Sequence, residues 1–165
     1  MVCNTSKIKM QIDNKHYNPE LHDQYHAISV KQPFAQDLVT KCREDERGTY
    51  AIKEVEVRNR QTTYRGDLLV CASKTPELKG YLSGVTLGFV ELYECKPVRN
   101  FTQEDWDKTR IPREKRKEIK RGYGWFFRNP RRVIEMPING RLGIYKLTTP
   151  KGDITEYPQL VVYDK

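Results

Sequence analysis

Period-two alternation and short apolar runs dominate the chain, and sustained helical periodicity is scarce. His26-Ala-Ile-Ser-Val30 reads as a buried strand, and Pro33 opens a short amphipathic helix in which Phe34, Leu38 and Val39 share a face. Lys53-Glu-Val-Glu-Val-Arg58 alternates strictly, as a half-buried strand does. This predicts Val55 and Val57 against the core and Glu54, Glu56 and Arg58 on the opposite face. Glu56 and Arg58 are then same-side neighbours about 7 Å apart, close enough to pair across a groove. Asp67-Leu-Leu-Val-Cys-Ala72 and Val85 to Cys95 are near-continuous apolar strands, with Gly88 marking a bulge or a close approach. Thr102 caps a short helix over 102–109, and Pro112 to Arg121 reads as another. Late strands follow near Trp125 to Met136 and Gly143 to Thr148, with 154–163 a candidate terminal strand. Short strands punctuated by Gly and Pro predict a mainly β domain with short helices (α+β), closed as a small barrel or a strongly bent sheet.

Residues 1–25 are polar, with weak periodicity around Ile8, Met10 and Ile12, and read as an N-terminal extension. The domain then spans 26–148, and 149–165 is a C-terminal strand or tail packed on it. A chain of 165 residues can bury a core without disulfides or a structural metal.

Charge changes this picture by its distribution. The formal net charge is +8. Residues 1–95 carry 13 Lys/Arg against 13 Asp/Glu, whereas 96–165 carry 17 against 9, so the whole excess lies in the second part. Such a field suits phosphate polymers, anionic lipid or acidic proteins better than a small neutral ligand. Cys3, Cys42, Cys71 and Cys95 are widely spaced and read as buried, reduced thiols. No signal-like segment follows Met1, and no run approaches the roughly 18 apolar residues of a membrane helix. The expectation is a cytoplasmic protein with no membrane partner.

Two constellations carry candidate chemistry. Lys53-x-x-Glu56-x-Arg58, followed by Arg60, Thr62, Thr63, Tyr64 and Arg65-Gly66, offers a cation, a carboxylate and guanidinium forks over a short span. A carboxylate accepts from exocyclic amino groups, and an Arg fork grips phosphate or acceptor edges. The bland alternative is a solvated charged strand face. From Arg110 to Arg121, seven Lys/Arg stand against Glu114 and Glu118, with Trp125, Phe126, Phe127 and Arg128 close behind. Basic residues beside exposed aromatics suit single-stranded nucleic acid; otherwise the run is a solvated helix and the aromatics are core. Alternation cannot bury Phe126 and Phe127 on one face. His22-x-x-x-His26 lacks a third ligand, and no metal site or cofactor is expected. Neither a nucleophile elbow nor a phosphate-binding glycine motif occurs.

The ordered blocks add a resemblance. Ile28-Ser-Val-Lys-Gln-Pro-Phe34, Lys53-x-x-Glu-x-Arg58, Tyr64-Arg-Gly66, Leu69-Val-Cys-Ala-Ser73, Leu87-Gly-Phe-Val-Glu91, Trp125 with Arg128-Asn-Pro130, and Pro137-Ile-Asn-Gly140 before Leu142-Gly-Ile-Tyr-Lys-Leu147 resemble, in order, the activating signal cointegrator homology (ASCH) domain. The resemblance covers roughly residues 26 to 148. It implies a PUA-like β-barrel with a cleft for nucleic acid or a modified nucleoside. The family pattern G-x-K-x-x-E-x-R falls on Ala51, Lys53, Glu56 and Arg58, with Ala51 in place of the usual glycine and Phe34 where Trp is common. Some small relatives deacetylate N4-acetylcytidine using a Lys, a Thr and a Glu, and the position of their threonine is held here by Glu56.

The resulting expectation is a nucleic-acid-binding module, RNA favoured over single-stranded DNA. Its cleft is lined by Lys31, Gln32, Lys53, Glu56, Arg58, Arg65, Ser73 and Lys74, with Arg113, Lys117, Lys120, Trp125 and Arg128 holding the backbone. Two alternatives stay open. One is an amidohydrolase on an acylated cytidine, with Glu56 as general base and Lys53 as its charge partner. The other is a protein-interaction module using the basic helix.

Overall fold

The strand-forming runs supply the frame. In the computed structural model, which describes residues 11–158, the chain runs through β1 (His22–Val30), α1 (Phe34–Val39), β2 (Lys41–Asp45), β3 (Gly48–Ala51), β4 (Val55–Arg58), β5 (Gly66–Ala72) and β6 (Thr86–Pro97). Then come α2 (Gln103–Lys108), α3 (Arg113–Arg116), β7 (Tyr123–Arg132) and β8 (Tyr145–Pro150). One sheet has the order β4-β7-β6-β5-β1-β8, and β2 and β3 form a separate ribbon. β1 runs parallel to β5, and the other pairs are antiparallel. The sheet curls into a half-barrel: Arg58 Nη2 on β4 donates to Ser29 O on β1 at 2.9 Å, although β7, β6 and β5 lie between those strands in the ladder.

The concave face is filled from the sequence outward. Ile28, Val30, Leu68, Val70, Val90, Leu92, Trp125 and Phe127 point inward, and α1 plugs the hollow with Ala35, Leu38 and Val39. Each such fully buried large side chain contributes roughly 1.5–3 kcal/mol. The convex face carries a second cluster that includes Ala27, Leu69, Cys71, Val133, Tyr145 and Leu147. Gly88 is the predicted close approach: a Cβ there would lie 2.6 Å from Arg131 O and 3.0 Å from Val39 Cβ. Thr102 caps α2 in a capping box with Asp105, as its sequence position suggested.

Several expectations are corrected. Register pairs Glu56 with Trp125 and Val55 with Phe126, and directly opposite residues share a face. Glu56 therefore lies on the concave face, and Val55 is buried on the convex one, where Phe101 packs on Phe126. Alternation shows which residues share a face but not which face looks inward, and here both are covered. Phe126 and Phe127 are accordingly both buried, back to back across the sheet. The helix expected over Pro112 to Arg121 shrinks to the single turn α3. Ile111 and Ile119 alone give it no apolar stripe to bury. Strand β1 begins at His22, ahead of the apolar run, because His22 to Ala27 pair with β8. The candidate terminal strand is, among the described residues, one bridge from Val133 to Glu156, and 159–163 lie outside them. Cys71 is buried and its thiol is pushed up to about 12 by that burial, but Cys42 is exposed on β2, and Cys3 lies outside the described residues.

Candidate functional site

Curling brings the ends of β1, β4 and β5 around the N-terminus of α1, and the mouth so formed is hollow. A cavity of about 420 Å³ is bordered by Lys31, Phe34, Glu56, Arg58, Ser73 and Arg141. A neighbour of about 350 Å³ shares Ser29, Ser73, Arg141 and Leu142 and adds Lys74 and Asn139. A third, of about 520 Å³, extends from Arg58 past Arg60 and Thr62 to Ile144. Leu142 borders all three and is fully exposed at the tip of the loop before β8.

Glu56 is the unusual member. Its Oε2 is buried and accepts no hydrogen bond among the described residues, where a buried polar atom is normally satisfied. The expected pairing with Arg58 is not made. Arg58 instead turns to Ser29 O and lies over the Trp125 ring, 5.5 Å from its centroid. The strand neighbours thus present a free acceptor and, beside it, an anchored guanidinium.

Lys53 supports this wall from behind. It is 2% exposed, donates to Thr109 O at 2.6 Å, and sits 5.1 Å from the centroid of Phe34. Burial lowers its pKa below the usual lysine value, opposed by the charges of Glu56 and Asp37. Asp37 is raised by burial, opposed by Arg110 and Lys53. The Lys53 ammonium is held in the protein rather than offered to a guest. Phe34, 41% exposed, presents its ring to the first cavity.

The remaining predicted residues separate. Lys31, Ser73 and Lys74 join the mouth, Lys74 donating to Asn139 Oδ1 at 2.6 Å. Gln32 is buried and structural: its Nε2 donates to Leu82 O and its Oε1 accepts from Gln36 N at the start of α1. Arg65 donates to Thr62 O and Tyr64 O within its own turn. Trp125 is 3% exposed and donates to Arg60 O, so it is a core pillar beneath the cavity rather than an open stacking face. Arg128 is engaged by Glu91 and lies over Tyr93, on a different wall with Arg43 and Tyr50. Arg113, Lys117 and Lys120 are exposed and border none of these cavities. Their segment does frame β4: Thr109 meets Lys53 at one end, and Gly122 closes on Arg58 O at the other.

Arg141, Leu142, Asn139 and Ser29 are the mouth residues that sequence reasoning left unassigned. The Asn139-Gly140 turn and the Gly143 that follows were the available signal, a loop rather than a strand start. Three cations at the mouth, Lys31, Arg58 and Lys74, come from the neutral first part of the chain. By contrast Arg128 is paired with Glu91, and Arg131 with Asp67 and Glu156. Net charge along the sequence therefore did not locate the local field. Among the described residues, no cluster of His, Cys, Asp and Glu is arranged to hold a metal, and no helix is long and apolar enough to cross a membrane.

Solved structures supply a likeness. This chain is similar to an ASCH protein. The ASCH structure from Zymomonas mobilis is 14% identical, with a TM-score of 0.49, covering 68% of this chain and 72% of that one. A tyrosine-to-phenylalanine mutant of the same protein gives 14%, 0.46, 68% and 74%. No family model matches the chain, and no curated protein matches it.

Proposed function

We propose that the chain is a nucleic-acid-binding module that holds a single strand across the mouth of the half-barrel, RNA in preference to DNA. The observation that carries this reading is the composition of the mouth. Lys31, Arg58, Lys74 and Arg141 rim adjoining cavities whose wall holds an aromatic ring and an unpartnered carboxylate. Cations at the rim suit phosphates, and a ring with polar groups inside suits a base. The basic segment from Arg110 to Arg121 flanks β4 and would extend the path of the backbone. Its protein-partner alternative gains no specific support.

Anisotropy of labelled single-stranded RNA, single-stranded DNA and duplex, titrated at several salt concentrations, tests the proposal. Log affinity should fall linearly with log salt. R141A should weaken binding to all sequences and make the salt slope shallower by about 1. R128A, on its separate wall, should leave both nearly unchanged. Absent or salt-insensitive binding would overturn the reading.

A further inference from the structure

Resting on the nucleic-acid reading of the same cleft, we infer that the first cavity selects bases bearing an exocyclic amine and rejects uracil and thymine, with Glu56 and Arg58 as the discriminating pair. Glu56 carries a negative charge into a mouth otherwise rimmed by cations, and it has a buried oxygen without a donor. A carboxylate accepts only, and would repel a phosphate, so the group it faces is a donor, and with the exposed Phe34 ring lining the same cavity we assign that donor to a base edge. Arg58 stands two residues along the same strand on the same face. Its bond to Ser29 O and its position over Trp125 fix the plane of the guanidinium while other N–H groups remain to donate.

The wall therefore offers an acceptor beside a donor. Cytosine presents its N4 amine next to the N3 acceptor, and adenine its N6 amine next to N1. Guanine presents O6 next to two donors, N1–H and the N2 amine. Each of these edges places a donor on Glu56 and an acceptor on Arg58 without conflict. Uracil and thymine present a single N3–H flanked by two carbonyls, so a carboxylate that accepts from it must also face a carbonyl oxygen. Phe34 supplies an exposed ring beside the pair on which a base can stack. Uracil can give Glu56 its N3–H, but the flanking O2 then faces the second carboxylate oxygen, so the discrimination lies in that repulsion between two acceptors.

The test uses short strands of abasic nucleotides carrying one guest base, with binding measured by anisotropy at fixed salt. Wild-type protein should bind adenine, cytosine or guanine guests roughly tenfold more tightly than a uracil guest. Glu56→Gln preserves size and adds a donor to the acceptor, and should bring the uracil guest to within about twofold of cytosine, with thermal unfolding showing that the fold is kept. Equal wild-type affinity for uracil and cytosine guests, or a preference that survives in E56Q, would overturn the inference. Salt-dependent binding with no base preference sinks this inference alone. Failure of every strand, homopolymers included, sinks the nucleic-acid reading with it.

Discussion

Lys53 keeps an ammonium where water scarcely reaches, bonded to Thr109 O and facing the charges of Glu56 and Asp37. Because burial lowers its pKa in the folded state, the unfolded chain binds the extra proton between that lowered value and the ordinary 10.5. Folding stability from this group must rise as pH rises through that window. Urea unfolding of wild type and K53M across alkaline pH should show the wild type gaining on the variant toward 10.5. K53A, which also empties the space beneath Phe34, should cost about 2–4 kcal/mol at neutral pH. The same residue shows what was legible beforehand. The sequence places Lys53 with Glu56 and Arg58 in one motif, but Lys53 precedes the start of β4, so strand parity could not tell that it turns inward.

Between elements, polar side chains hold β6, β7 and β3 in register. Glu91 accepts from Arg128 and from Asn129 Nδ2, while Asn129 Oδ1 accepts from Thr49 N. Asn129 has a φ of 55°, a left-handed conformation that asparagine tolerates better than most residues. The Arg128 hydrogen bond holds the Glu91 carboxyl below the usual carboxylate value. Its contribution is therefore present above about 4.5 and lost as pH falls through the lower folded value. E91Q should cost about 1 kcal/mol at neutral pH, the pair being partly exposed. The gap between wild type and variant should close as chemical denaturation is repeated below pH 4.5. Element type was largely readable from alternation and apolar runs: β5, β6 and the cap of α2 fall where the pattern put them, and β1 ends at the predicted Val30 although it starts earlier, at His22. Short strands punctuated by Gly and Pro also pointed to the bent sheet, but the strand order was not readable, since pairing β1 with both β5 and β8 joins segments far apart in the chain. Local periodicity carries no information on such partners. The cleft motif was legible as residue types; its partner loop, Asn139 to Gly143, was not, because a loop has no period to read.

Across the whole molecule, β5 and β6 have ladder partners on both sides, whereas β4 is a four-residue edge strand. Amide exchange should be slowest in β5 and β6 and faster in β4 and the β2–β3 ribbon, as followed by mass spectrometry or NMR. Uniform protection across the sheet would contradict this gradient. The Arg58 to Ser29 O bond then takes on a mechanical meaning. It spans strands that share no backbone ladder, so it is a side-chain clasp across a mouth whose walls are otherwise held apart by α1 and the packed concave face. Because the clasp is no part of any strand ladder, its loss would leave every strand pairing intact and be felt at the mouth alone.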